Sequence, residues 1–286
     1  MPPPSRQPGD YPNARKYETI NKTVVRISPT QSFLVVKYET SKSINLYIGG
    51  HVKWCIQCDI IKSDNVIQPI GYLNQVRYDI KCSLEHSFVK GIDTKQIIYF
   101  TVQYIKDKYP EVKGLIFSDL STRVCDNNVD VNLAVMTYLY SEQTWYEKNF
   151  GAYIAPMSET EYNIIRNEIR KTKDNKNKVS WEVMSETITN EGTKMTDAYL
   201  EELYNKSNSW REFFEPIYDK LKIDKFCIYI SSWLPKFINK YFNTLQGLKY
   251  ILPIRDNRIV YVESEYNIGG RRFTRKSTGK QDKDYK

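Results

Sequence analysis

Apolar and polar residues alternate along the first third of the chain, which is the pattern of half-buried β-strands. Four such runs lie at residues 23–27, 33–38, 46–48 and 51–61. Turn residues such as Gly49 and Gly50 separate them. A fifth alternating run covers 76–84. The sequence therefore predicts an antiparallel meander over 23–84.

After residue 91 the apolar pattern changes from a period of two to a helical period. Apolar side chains recur at helical spacing at Ile98, Val102, Ile105 and Tyr109. Pro110 ends this predicted helix, and the continuously apolar run 114–117 is typical of a strand in a parallel sheet. The pattern predicts a strand over 76–84, a crossover helix and a parallel strand, joined in a right-handed unit.

A glycine turn connects the first of these strands to the helix. It consists of Val89, Lys90, Gly91, Ile92, Asp93, Thr94 and Lys95. Asp93 is suited to the N-cap position, and Gln96, three residues later, can reach back in a capping box. Because the first amides of a helix have no intrahelical acceptor, they attract anionic groups such as phosphates. The seven residues are therefore predicted to form a phosphate-binding turn.

This order of elements resembles the GNAT superfamily of acetyl-CoA-dependent N-acetyltransferases over about residues 70–155. The family binds its cofactor at a loop of pattern R/Q-x-x-G-x-G/A, of which Gly91 is present, whereas Phe88 and Asp93 depart from it. Residues 146–151 (Tyr-Glu-Lys-Asn-Phe-Gly) resemble the family's Y-E-K-x-G-F ending, with Gly and Phe exchanged. Together with Asp-Leu-Ser at 119–121, the run 144–150 is similar to GNAT-like proteins of large nucleocytoplasmic DNA viruses.

The resemblance implies an α/β fold with a GNAT-like mixed sheet, acetyl-CoA as cofactor and an amine as acceptor. In the family a base deprotonates the amine and an acid, often a tyrosine, protonates the leaving thiolate. Tyr138 and Tyr146 are the candidate acids, and Asp119 and Glu85 are the candidate bases. The alternative roles are packed aromatic residues for the tyrosines and loop-capping carboxylates for the acidic residues.

Asp93 is the residue that conflicts with cofactor binding. Its carboxylate competes for the helix amides and places negative charge beside a pyrophosphate, and such a contact costs on the order of a few kcal/mol near a surface. Lys90 or Lys95 can offset this charge. Two functions therefore follow from the sequence: an N-acetyltransferase, or a catalytically inactive GNAT-like module that binds a partner protein or nucleic acid.

Composition and pattern divide the 286 residues into four predicted segments. They are a disordered N-terminal arm (1–20), a GNAT-like domain (21–155), a mainly helical extension ending in a hairpin (156–268) and a basic mobile tail (269–286). Helical patterns extend over about 180–242 with predicted breaks at Gly192, Pro216 and Pro235. The hairpin is predicted from strand patterns at 248–252 and 258–262.

The net charge of +8 and the pI near 9.0 indicate a basic surface, for which nucleic acid is a candidate partner. The strongly apolar helical stretch 226–242 predicts either a core between helices or a surface for a partner protein. No apolar run reaches the ~20 residues that span a bilayer, and the N-terminus lacks the apolar core of a signal peptide. We therefore expect an intracellular protein, in the host cytoplasm or the virion if it is viral.

The five cysteines are odd in number and lack disulfide spacing, which indicates a reducing compartment. Cys55 and Cys58 form a C-x-x-C pair, for which a redox pair and a zinc site with Cys82 and His86 are the alternatives to ordinary buried thiols. On a regular strand Cys55 and Cys58 point to opposite faces, which disfavours a shared metal. No metal site is therefore predicted.

Overall fold

A computed structural model describes residues 19–62, 69–85, 89, 91–141, 143–155, 160, 163–164, 180–190, 193, 195–243, 247–256 and 259–266. These residues form a mixed α/β structure with eleven strands and six helices. The chain divides into two compact units, residues 1–117 with 252–286 and residues 118–251. We call them the sheet unit and the helical unit.

The elements follow in chain order. The first part contains β1 (Thr19–Ser28), β2 (Gln31–Glu39), β3 (Ser43–Gly49), β4 (Trp54–Ile61), β5 (Ile70–Val76), α1 (Ile92–Lys108) and β6 (Gly114–Ser118). The second part contains β7 (Thr122–Val124), β8 (Asp130–Asn132), α2 (Leu133–Ser141), α3 (Trp145–Phe150), β9 (Tyr153–Ile154), α4 (Trp181–Ser185), α5 (Asp197–Lys206), α6 (Trp210–Tyr241), β10 (Lys249–Pro253) and β11 (Val262–Glu265).

The strands of the sheet unit lie in the order β11-β1-β2-β3-β4-β5-β6. β1 to β5 pair with their chain neighbours in antiparallel fashion, which confirms the predicted meander. β5 and β6 are parallel, with Gly71 opposite Leu115, and α1 connects them. The predicted helix and the parallel strand that follows it are therefore confirmed, but the first strand of the unit is β5 (Ile70–Val76) and not 76–84.

Each face of this sheet has its own core because successive side chains of a strand point to opposite faces. On one face α1 packs against the sheet, and the rings of Phe33 and Phe100 stack at 5.8 Å between centroids. On the other face a buried cluster contains Leu34, Val36, Tyr38, Tyr47 and Trp54. Leu84 packs against this second cluster.

The strand predicted over 76–84 is wrong, because β5 ends at Val76 and the segment 77–85 is irregular. Its apolar residues do not share one face: Cys82 is fully buried, whereas Tyr78 is 47% and Ile80 58% exposed. An alternating pattern indicates a strand only when one set of side chains is buried together.

In the helical unit α2 begins at Leu133, and α3 ends at its C-cap Gly151. Thr144 and Glu147 form a capping box at the start of α3, since each side chain accepts the other residue's backbone N–H. Gly151 adopts φ 63°, the left-handed conformation that ends many helices.

The hairpin predicted over 248–262 is wrong. β10 pairs with β9, with Tyr250 opposite Ile154. β11 pairs with β1, with Thr23 opposite Glu265. The turn signal between the two strands is local, whereas strand pairing depends on which strand edges are open. β11 belongs to the sheet unit.

The predicted breaks at Pro216 and Pro235 are wrong, since both residues lie inside α6. The helix is interrupted instead at Lys222, with φ 61° and ψ 173°. A proline removes one backbone hydrogen bond, and burial of the aromatic face of α6 compensates for that loss. Gly192 lies outside the described residues. Across the described ranges, none of the helices has an apolar stretch that would reach through a bilayer.

Candidate functional site

The predicted phosphate-binding turn precedes α1 in the sheet unit. Gly91 is the N-cap with φ 88°, and Asp93, which the sequence predicts at that position, lies in the first helical turn. A positive φ favours glycine, and a Cβ added to Gly91 would meet nothing within 4 Å. The turn is therefore open on the side of Gly91. Lys90 lies outside the described residues.

Side chains of the turn accept hydrogen bonds from the turn's own backbone amides. Asp93 is only 6% exposed, and its Oδ2 accepts a hydrogen bond from the Val89 amide at 2.6 Å. The Gly91 amide donates to Thr94 Oγ1 at 3.3 Å. Gln31 Nε2, from β2, donates to Asp93 Oδ1 at 3.1 Å. Two amides that would face a bound anion thus already have protein acceptors, one of them a carboxylate.

Glu85, a candidate base, does not lie at the end of a strand. It is the last residue of the irregular segment 77–85 and forms an ion pair with Arg26 at 2.8 Å. Both side chains are partly exposed, so the pair contributes little to stability. The sequence predicted Glu85 at the end of a strand over 76–84, and that strand is not formed.

The other three candidate catalytic residues come together in the helical unit. Asp119 follows β6, is 5% exposed, and accepts hydrogen bonds from the Ser121 amide at 3.1 Å and from the Ser121 hydroxyl. Burial, and to a smaller extent the charge of Asp119, raises the pKa of Tyr146. The hydroxyls of Tyr138 and Tyr250 are 3.1 Å apart. Tyr250 is a member of this cluster that the sequence analysis missed.

The tyrosines of this cluster are held in their neutral form. Burial is the largest cause that raises the pKa of Tyr138 and of Tyr250, and the charge of Glu147 adds to it in both cases. An efficient general acid needs a pKa close to the working pH. These hydroxyls are therefore poor proton donors as they stand, and the arrangement suits a buried hydrogen-bonded core better than acid catalysis. Glu147 itself is engaged in the α3 capping box.

The cysteines form two disulfides, so the expectation of five reduced thiols is wrong. Cys55 pairs with Cys82, and Cys125 with Cys227. Cys58 is unpaired and buried, and burial raises the pKa of its thiol. With Cys55 and Cys82 bonded to each other, neither serves the zinc alternative, and the described residues contain no cluster suited to a metal. His86 lies outside them.

A cleft of about 660 Å³ in the sheet unit was not indicated by the sequence. It is lined by Ile20, Asn21, Lys22, Thr23, Val35, Lys37, Tyr104, Lys108, Tyr109, Glu263, Glu265 and Tyr266. Its charges are largely paired: Lys37 lies 2.7 Å from Glu39, and Lys108 lies 2.9 Å from Glu263. Burial and then the negative charge of Glu39 raise the pKa of Tyr109 to about 12. The cleft is polar and close to neutral.

Comparisons with protein-family models, with curated proteins and with solved structures give no match for this chain. The two groups of candidate residues belong to different compact units, the Gly91 turn and Glu85 to the sheet unit and the Asp119 cluster to the helical unit.

Proposed function

We propose that this chain is a catalytically inactive GNAT-like module with a binding or structural role toward a partner protein or nucleic acid. The observation that supports it is the closed turn before α1, where the buried Asp93 carboxylate accepts the Val89 amide. A pyrophosphate at this position would meet a negative charge and would have to displace that hydrogen bond. The turn is a self-capped helix start.

The tyrosine cluster supports the same proposal. Acyl transfer from a thioester needs a proton donor for the leaving thiolate. Tyr138 is 2% exposed and bonded to Tyr250, and burial raises its pKa. Such a hydroxyl neither reaches a substrate nor releases its proton readily at neutral pH.

The apolar stretch 226–242 contributes to the core. Phe213, Phe214, Trp233 and Phe237 are fully buried, and Trp210 is 2% exposed. The aromatic residues of α6 pack against one another, with Trp210 and Phe237 at 5.1 Å between centroids. A partner protein would therefore contact the polar surface of these helices. The basic tail, which would contact nucleic acid, lies outside the described residues.

An N-acetyltransferase that uses acetyl-CoA and an unidentified amine is the second candidate function. The parallel pair β5–β6 with α1 between them, together with the open, positive-φ Gly91, favours it. Asp119 beside Tyr146 offers a carboxylate and a hydroxyl in one place. In this alternative Gly91 and Lys95 would contact the pyrophosphate, and Asp93 would have to turn away.

Calorimetric titration with acetyl-CoA separates the two functions. For the module we expect no binding heat from the wild-type chain up to millimolar cofactor. The same titration of Asp93→Asn tests whether the negative charge of Asp93 is what prevents binding, because this variant removes the charge and keeps an acceptor for the Val89 amide. Asp107→Asn, which removes a charge from the other end of α1, is the matched control. Micromolar binding by the wild-type chain that is lost in Gly91→Glu would contradict the module and support the enzyme.

A further inference from the structure

Each compact unit contains one disulfide between residues that are distant in the chain. Cys55 and Cys82 are separated by 27 positions and Cys125 and Cys227 by 102. Their Cα atoms lie 5.8 and 5.5 Å apart, in the usual range for cystine. The described fold thus brings four of the five cysteines into bonding arrangement as two separate pairs.

The first disulfide anchors the irregular segment 77–85, which is also held by hydrogen bonds from the Arg77 amide to the Cys55 carbonyl and from the Leu84 amide to the Ser32 carbonyl. Residues 77–85 form no strand, and Tyr78 and Ile80 are about half exposed or more, at 47% and 58%. Cys82 is fully buried and fastens this segment to β4 through Cys55. The covalent link thus adds to these hydrogen bonds and to the packing of Leu84 against the buried cluster.

The second disulfide anchors the hairpin of β7 and β8. Its strands have three residues each, and an isolated two-stranded hairpin is marginally stable in water. Cys125 joins the hairpin to Cys227 of α6, and one turn later on that helix Ser231 Oγ accepts a hydrogen bond from Asn127 Nδ2 at 2.8 Å. The disulfide therefore attaches to the helical unit an element that would not persist alone.

None of the four sulfurs is available to another molecule once the chain is folded. Cys55 and Cys82 are 0% exposed, Cys125 is 4% and Cys227 is 5% exposed. Disulfide exchange requires a thiolate to reach a disulfide sulfur through a mixed-disulfide intermediate. The bonds must therefore form while the chain is still partly unfolded.

We propose that a partner with an accessible disulfide oxidises this chain during folding, so that the native protein carries two disulfides and one thiol. For each bond one cysteine thiolate attacks the partner disulfide and forms a mixed disulfide, and the second cysteine thiolate displaces the partner. Two thiols of the chain lose two protons and two electrons in total, and the partner disulfide is reduced to two thiols. The chemistry suits either a dithiol oxidoreductase or a small disulfide such as oxidised glutathione.

The strand geometry explains why Cys58 is not a partner in these exchanges. Cys58 lies opposite Leu46 and Leu73 on the sheet face that packs against α1. Cys55, three residues earlier, points to the opposite face of β4. The sheet therefore separates the thiol of Cys58 from the Cys55–Cys82 pair.

The test counts thiols on the full-length chain. The reduced, denatured chain is refolded with oxidised glutathione alone and with glutathione plus a dithiol oxidoreductase, then denatured and treated with a maleimide. Intact mass should show one adduct, on Cys58, and five adducts after reduction. Faster disulfide formation when the oxidoreductase is added would identify the enzyme as the oxidant, and an unchanged rate would identify the small disulfide. A folded chain that takes five adducts would overturn the proposal.

Peptide mapping and two variants complete the test. Non-reducing digestion should yield the Cys55–Cys82 and Cys125–Cys227 cross-links, and a cross-link to Cys58 in the folded monomer would refute the pairing. Cys58→Ser should take no adduct, and Cys82→Ser should take two while keeping the other cross-link. If Cys82→Ser does not fold, the thiol count of the wild-type chain still decides.

Discussion

The sheet unit and the helical unit are assembled by different means. In the sheet unit β1 to β5 each pair with the next strand in the chain, so most contacts join residues close in sequence. In the helical unit, characteristic contacts join residues that are far apart in the sequence, such as Tyr138 with Tyr250 and Cys125 with Cys227. Local pattern therefore specifies the meander of the sheet unit, whereas the helical unit depends on loop closure over about a hundred residues.

The largest expected effect distinguishes the two disulfides. Cys125→Ala with Cys227→Ala should lower the free energy of unfolding by about 4.7 kcal/mol, because a cross-link over ~100 residues removes much entropy from the unfolded chain. The disulfide removed by Cys55→Ala with Cys82→Ala closes a shorter loop, so this double variant should lose about 3.5 kcal/mol of unfolding free energy. Denaturant unfolding under oxidising conditions measures both. Equal losses, or none, would mean that loop length does not set the difference.

Alanine substitutions at two glycines of the sheet unit should destabilise the chain for different reasons. In Gly50→Ala the new Cβ would collide with the backbone oxygens of Lys81 and Ser83, so the segment 77–85 must shift, at a cost of about 1–3 kcal/mol. Gly91→Ala meets open space and suffers only from its positive φ, at about 1–2 kcal/mol. Hydrogen exchange should show faster exchange at 77–85 for Gly50→Ala alone. The same change in both variants would count against the steric account.

The closed turn before α1 is tested by Asp93→Ala. Loss of the acceptor for the Val89 amide and for Gln31 should destabilise the chain by about 1–2 kcal/mol. Asp93→Asn keeps an oxygen acceptor and should lose less. Thermal unfolding of the two variants beside Asp107→Asn measures this. If Asp93→Ala is as stable as the wild type, the turn is not held by this side chain.

The smallest expected effect is a gain of stability in the helical unit. Lys222 has φ 61° and ψ 173°, a region that is essentially restricted to glycine. Lys222→Gly should therefore stabilise the chain by about 1 kcal/mol, and Lys220→Gly, two residues earlier in α6, should destabilise it by a similar amount. Chemical denaturation compares them. A loss of stability in Lys222→Gly would show that the interruption is not strained.

The sequence predicted those parts of the site that depend on neighbouring residues. The Gly91 turn, α1 and β6 are specified by a glycine, a helical apolar stripe and a short apolar run, all within thirty residues. The cluster of Asp119, Tyr138 and Tyr146 also forms, although its closeness was inferred from a resemblance. Tyr250 could not be found in this way, because nothing near it in the sequence indicates Tyr138 as its partner.

The chain's own pattern determined the meander and the crossover helix, because alternation and helical spacing act over a few residues. Tertiary structure alone decided that Cys55 bonds Cys82, that β11 pairs with β1 and that Gln31 donates a hydrogen bond to Asp93. Such pairings depend on which surfaces meet after the chain has folded, and neither spacing nor composition records that choice.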